Sequence, residues 1–235
     1  AAAKMVLQQH PGGVIVTDSV TSNGVADFIR ACGGEHLRFK KGYKNVIDKA
    51  AALCEADVDA PLAIETSGHA ALRDNKWMDD GAYLALRLTL ELAKLRATAP
   101  GGGDGVHLIN LIDGLKEPVE SKEFRFTCAD NDLRAAAARE LERYIGAAVD
   151  KPELGWELEE PNYEGIRVRI DGAWFSVRES LHEPIVVINA EAEAEGGIRA
   201  FMKDLVAHCI DNVETPMNVE PIAAFLSEVD APVVE

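Results

Sequence analysis

Cysteine is scarce in this chain, and positive charge is scarcer than negative. The 235 residues hold four cysteines, Cys32, Cys54, Cys128 and Cys209. None forms a Cys-x-x-Cys pair and none sits near a histidine at metal-ligand spacing, so buried free thiols in a reducing compartment are expected. No apolar run reaches membrane-spanning length. The opening "AAAKMVLQQH" has no initiator Met and no signal-peptide pattern. It enters what reads as the middle of a domain, so a fragment or a processed product is expected. Lys and Arg number 24 against 40 Asp and Glu, a net charge of −16. Such a field repels nucleic acid and anionic membranes, and neither is expected as a partner. A small phosphorylated ligand responds to local charge and is not excluded.

Two catalytic signatures are also missing. Gly101-Gly102-Gly103 follows no strand, so it reads as linker rather than as a phosphate-binding turn. Ser67 is no hydrolase nucleophile, because that motif needs Gly two residues earlier and residue 65 is Glu.

What is present is alternation. Val14-Ile15-Val16, residues 37–39 and Leu62–Ile64 read as short strands. Between them, Val25, Phe28, Ile29 and Cys32, then Val46, Ile47, Ala50 and Cys54, mark amphipathic helices. A longer helix is predicted over about residues 80–95, with Leu84, Leu88, Leu92 and Leu95 on one face and Asp79-Asp80 at its start. Strand–helix alternation implies a three-layer α/β domain over residues 1–97. Residues 98–120, around Pro100 and the glycines, read as a linker. Residues 121–235 read as a small α+β domain with an antiparallel sheet. Ile166, Val168 and Ile170 alternate with Arg167 and Arg169, Asp171-Gly172 is a hairpin turn, and residues 198–209 form an amphipathic helix. A short helix that frays is expected after Asn212.

Chemistry concentrates in loops. Glu65, Ser67 and His69 alternate at spacing two after the third strand, which in an extended loop suits hydrogen bonds to vicinal hydroxyls; an ordinary loop with a capping Ser is the plainer alternative. Arg38, Lys40, Lys41, Lys44 and Lys49 surround Gly42 at a predicted helix start, which suits an anion or is simply a solvated basic face. Asp18, Ser19, Thr21 and Ser22 read most simply as helix caps. These loops all follow the C-terminal ends of consecutive strands, where ligands of open α/β sheets bind. In the second half, Arg178-Glu179-Ser180-Leu181-His182-Glu183-Pro184 joins two strands, as a polar turn or as a phosphate cradle.

Taken in order, Asp-x-x-x-Ser at 18–22, Gly-Tyr-Lys at 42–44, Glu-x-Ser-Gly-His at 65–69, Asp80-Gly81, "EPVESKEFRF" and Arg-x-Ser-x-x-Glu-Pro at 178–184 resemble the C-terminal half of the α-D-phosphohexomutase family, over roughly residues 5–212. This family comprises the phosphoglucomutases and phosphomannomutases. The resemblance implies its third and fourth domains. It implies that Glu65 and Ser67 hold sugar hydroxyls, with Gly42, Tyr43 and Lys44 near the substrate. His69 would lie close to the transferring group, and Arg178, Ser180 and His182 would hold the phosphate that is not being transferred. The family's phosphoserine and Mg-binding Asp-Gly-Asp loops have no counterpart in this chain. Mg is thus expected in the full-length enzyme but on no residue of this chain. A missing N-terminal half, on the same protein or a partner chain, is expected beside a hexose phosphate. Where the family usually has Arg-Pro-Ser-Gly-Thr-Glu-Pro, this chain has Glu179, Leu181 and His182. Two readings follow. One is the substrate-recognition half of a hexose-phosphate isomerase, inactive by itself. The other is a non-catalytic sugar-phosphate sensor or structural subunit. Cytosol or plastid stroma fits either.

Overall fold

The computed structural model describes residues 1–100 and 103–228. Gly101 and Gly102 of the expected linker, and the end of the tail, lie outside the described residues. The chain divides into two compact units, Ala1–Glu117 and Pro118–Glu235.

In the first unit, β1 (Val14–Asp18), β2 (Glu35–Phe39) and β3 (Leu62–Ile64) run parallel, and β4 (Ala70–Leu72) returns antiparallel to β3. The strand order is β2-β1-β3-β4. Helices are α1 (Ala2–Leu7), α2 (Asn23–Ala31), α3 (Tyr43–Glu55) and α4 (Gly81–Thr98). Strand alternation sorts them into layers. Ile15, Leu62, Ala70 and Leu72 pack with Met5, Val6 and Ile29, and with partly buried Leu84 and Leu88. Val14, Val16, Ala63 and Ala71 pack on the other face with Val46, Ile47 and Ala50. A strand buried on both faces reads as a continuous apolar run, which is what residues 14–16 show.

Two elements of this unit escape the sequence reading. The helix α1 is only six residues long, and β4 only three. Neither is long enough to display a period. The start of α4 falls where expected, but only one of the two aspartates caps it. Asp80 caps it by accepting from Tyr83 N at 2.9 Å, while Asp79 is used elsewhere. The leucine face of α4 is only half-buried, and the buried residue of the helix is Glu91. Residues expected as linker hold a 3-10 turn, Leu108–Ile112, whose Leu111 is buried.

The second unit is a five-stranded antiparallel sheet in the order β5 (Glu120–Thr127), β9 (Ile185–Ala192), β8 (Ala173–Glu179), β7 (Ile166–Ile170) and β6 (Glu157–Leu158). Helices α5 (Asn131–Val149), α6 (Gly197–His208) and α7 (Glu220–Ser227) share one core with one face of this sheet. Phe124, Phe126, Val168, Phe175, Val177, Val186 and Ile188 point into that core. The strand β5 opens the expected second domain, starting at the last residue of the expected linker, and its Phe124 and Phe126 alternate as a strand requires. The opposite face carries Arg167, Trp174, Ser176 and Arg178. Arg167 is no solvated arginine: it is 3% exposed, pairs with Glu159 at 3.0 Å, and lies 3.4 Å over the Trp174 ring.

Candidate functional site

The parallel strands of the first unit end on one sheet edge, and a single carboxylate ties their loops together. Asp18, at the end of β1, has a fully buried side chain. It accepts from Thr66 N at 3.1 Å and Thr66 Oγ1 at 2.7 Å after β3. It also accepts from Lys41 Nζ at 3.4 Å after β2 and from Thr21 Oγ1 at 3.0 Å in its own loop. A buried charge is tolerated when it is paired and fully hydrogen-bonded. The expected capping role falls to Ser22, which accepts from Val25 N. Arg38 is likewise structural, donating to Thr21 O and Asn23 Oδ1.

At the start of α3 the expected anion is supplied by the protein itself. Gly42 N donates to Glu65 Oε1 at 2.6 Å. Gly42 adopts φ 112°, ψ 122°, a backbone region that a side chain makes costly. Glu65 is 8% exposed, and its other oxygen accepts from Ser67 Oγ at 3.4 Å. The alternating one-sided display expected of Glu65, Ser67 and His69 is therefore not what forms. Gly68 N bonds Glu65 O and Glu65 N bonds His69 O, closing a tight β3–β4 turn. Gly68 sits at φ 94° in that turn. Glu65 turns inward, while Ser67 and His69 stand exposed. Tyr43 and Lys44 are exposed as well, with the Tyr43 ring 5.3 Å from that of His69.

His69 has a partner that sequence spacing did not suggest. Its Nδ1 lies 2.6 Å from Asp79 Oδ2. The second oxygen of Asp79 accepts from Ala70 N at 3.1 Å. The carboxylate is thus held by the backbone next to the histidine.

In the second unit, Arg178 belongs to the end of β8 rather than to a loop, and it is 6% exposed. Its Nε is buried without a hydrogen-bond partner, and its NH1 donates to Glu179 O at 3.4 Å. The turn that follows is short: Ser180 N donates to Ile185 O, and Ser180 Oγ accepts from Glu183 N at 3.4 Å. Leu181 and His182 point to solvent.

The added acidic charge of this turn is balanced from outside it. Arg134 of α5 donates from Nε to Glu179 Oε2 at 2.8 Å, and from NH1 to Ser180 O and Glu183 O. Arg125 of β5 pairs with Glu183. Glu123 completes the cluster. Its burial pushes the carboxyl up, but hydrogen bonds from Asn189 and Arg125 and the positive charges of Arg178 and Arg125 outweigh that, leaving it below the usual carboxylate range. Arg125, Arg134 and Arg178 thus offset Glu123, Glu179 and Glu183, leaving the turn near neutrality on an acidic protein. An open groove of this unit lies at the other end of β8, between the 171–172 hairpin and α6.

Among the described residues no group of three or more His, Cys, Asp or Glu is placed to hold a metal ion. Asp18, the most buried carboxylate of the site, is occupied by protein donors.

Residues 1–100 match the family model described as phosphoglucomutase/phosphomannomutase, alpha/beta/alpha domain III. The chain is 26% identical over 201 residues to a phosphoglucomutase/phosphomannomutase of Thermococcus kodakarensis, covering 86% of this chain and 39% of that protein. It is 24% identical over 220 residues to a phosphomannomutase/phosphoglucomutase of Pseudomonas putida, covering 92% of this chain and 42% of that protein. The structure resembles that of a phosphoglucomutase/phosphomannomutase family protein from Burkholderia thailandensis, with a TM-score of 0.65 and 27% identity over 91% of this chain and 41% of that one. The chain thus spans less than half the length of the relatives it matches.

Proposed function

We propose, from the premise that this chain belongs to the phosphoglucomutase/phosphomannomutase family, that it is the substrate-recognising part of a phosphohexomutase. The whole enzyme would interconvert hexose 1-phosphate and hexose 6-phosphate through a bisphosphorylated sugar. The phosphoserine and Mg that supply phosphoryl transfer in the family would come from outside this chain. What this chain contributes is positioning. The first unit would meet sugar hydroxyls with Ser67 and His69, and with Glu65 once it exchanges the Gly42 amide for a hydroxyl. Gly42, Tyr43 and Lys44 would border the sugar. The second unit would hold the non-reacting phosphate with Arg178, Ser180 and His182 through charge-assisted hydrogen bonds. Fixing one phosphate while the sugar is presented to the reacting group lowers the entropic part of the barrier.

One observation carries this reading. Glu179 and Glu183, the acidic residues of the proposed phosphate turn, are both neutralised by arginines outside it. Arg178 meanwhile keeps a buried Nε–H without a partner. A buried donor without a partner is costly, and an anion would supply one. Leu181, which is 52% exposed at the centre of the turn, favours the second reading, a non-catalytic protein that binds sugar phosphate.

Binding and turnover separate the two. Glucose 1-phosphate titrated into the chain should bind, and Arg178→Ala should weaken it by ten-fold or more. Arg169→Ala is the proper control, since Arg169 is exposed and pairs with Glu157. The chain alone should show no mutase turnover, even with Mg and a hexose bisphosphate. Measurable turnover would refute the division of labour.

A further inference from the structure

We propose that Asp79 is a positioning residue that sets the tautomer of His69 and leaves Nε2 as the nitrogen that exchanges a proton with a sugar hydroxyl. An ionised carboxylate only accepts hydrogen bonds. The Asp79 Oδ2 to His69 Nδ1 contact at 2.6 Å therefore places a proton on Nδ1. In the neutral ring, Nε2 then carries the lone pair. Nε2 has no partner among the described residues, and the His69 side chain is 53% exposed, so a ligand can reach it.

The carboxylate is built to do this. Its Oδ1 is pinned by Ala70 N, and Asp79 forms an isolated bridge to Ala71, the residue two after His69. Tyr43 lies against the imidazole with its ring tilted 30°, which restricts the ring's rotation. His69 and Asp79 thus sit on two stretches of chain locked together by backbone bonds. The proton step balances simply. The hydroxyl O–H bond breaks, its proton goes to Nε2, and the oxygen keeps the electron pair. The resulting imidazolium is stabilised by Asp79, and the reverse transfer returns the proton. A carboxylate that orients a histidine and stabilises its protonated form is a recurrent arrangement in general-base catalysis. The substrate half of this inference rests on the sugar-binding reading of the first unit; the tautomer half does not.

The test is the tautomer itself, read from two-bond 1H–15N correlations of the labelled chain, with His69 assigned by its loss in His69→Ala. Wild type, at a pH where the ring is neutral, should show the Nδ1–H form. Asp79→Asn keeps an oxygen for Ala70 N but presents an amide N–H to Nδ1, so His69 should switch to the Nε2–H form. Wild type in the Nε2–H form overturns the proposal whatever the variant does, and so does an unchanged tautomer in a folded Asp79→Asn. Glucose 1-phosphate is then added. A shift of the Nε2 resonance in wild type supports the hydroxyl contact. An unmoved Nε2 while Arg178-dependent binding persists overturns the substrate half alone, and leaves the phosphate turn standing.

Discussion

At the scale of single residues, Asp18 decides more than any other side chain of the first unit. It joins the loops after all three parallel strands, and its contacts reach 48 residues along the chain to Thr66. Removing it takes the shared acceptor away from Lys41, Thr21 and the Thr66 amide and hydroxyl. Asp18→Ala should cost about 1.5–3 kcal/mol, the range for losing hydrogen bonds to a charged group, read from urea denaturation midpoints. A loss of a few tenths would mean that the loops are held by something else. Cys209 sets a second limit. Burial pushes its thiol up to about 11. The unfolded thiol ionises near its ordinary value of 9.0, so between those values the folded state holds a proton that the unfolded state has lost. Stability should then fall as pH rises from 9 toward 11, by about 2–3 kcal/mol in all. Below 9 this thiol contributes no slope, and Cys209→Ala should remove the fall between 9 and 11.

At the scale of elements, the proposed phosphate turn keeps its electrostatics despite a changed sequence. Glu179 lies beside Arg178 and would compete with a phosphate if left unpaired. Arg134, in the first turn of α5, takes its charge and also ties the carbonyls of Ser180 and Glu183. Arg134→Ala should weaken sugar-phosphate binding about ten-fold, roughly 1.4 kcal/mol. Arg134→Ala with Glu179→Ala should recover most of that, because no stray carboxylate remains. A double variant as weak as Arg134→Ala would assign the effect to loop geometry instead of charge.

Elements and their partners differ in how far the sequence discloses them. The apolar runs of β1 and β3, the stripes of α2, α3 and α6, and the alternation of Arg167 and Arg169 with apolar neighbours are legible because their signals are local. The partners are not. Arg134 finds Glu179 45 residues away, and no spacing rule links a helix arginine to a turn glutamate. His69 finds Asp79 ten residues on, where the sequence offers a better-known use for that aspartate as a helix cap. Glu65 is singled out in the sequence by its spacing to Ser67 and His69. Its inward turn, however, depends on backbone hydrogen bonds among residues 65, 68 and 69, which residue type alone does not disclose.

At the scale of the whole molecule, the net charge of −16 sets the background against which any anion binds. A general field of that sign opposes the ligand, so binding has to come from local cations, and Arg125, Arg134 and Arg178 gather at one turn. Screening by salt should therefore relieve the global repulsion while weakening the local attraction less, because Arg178 is buried and less screened than surface charge.

The most direct measurement is calorimetric titration of glucose 1-phosphate into the chain, its Arg178→Ala variant and its Arg169→Ala variant under one buffer and salt. Saturable binding is expected for wild type and Arg169→Ala, with a loss of ten-fold or more for Arg178→Ala. Equal binding by all three, or none by wild type, would contradict a phosphate clamp at Arg178.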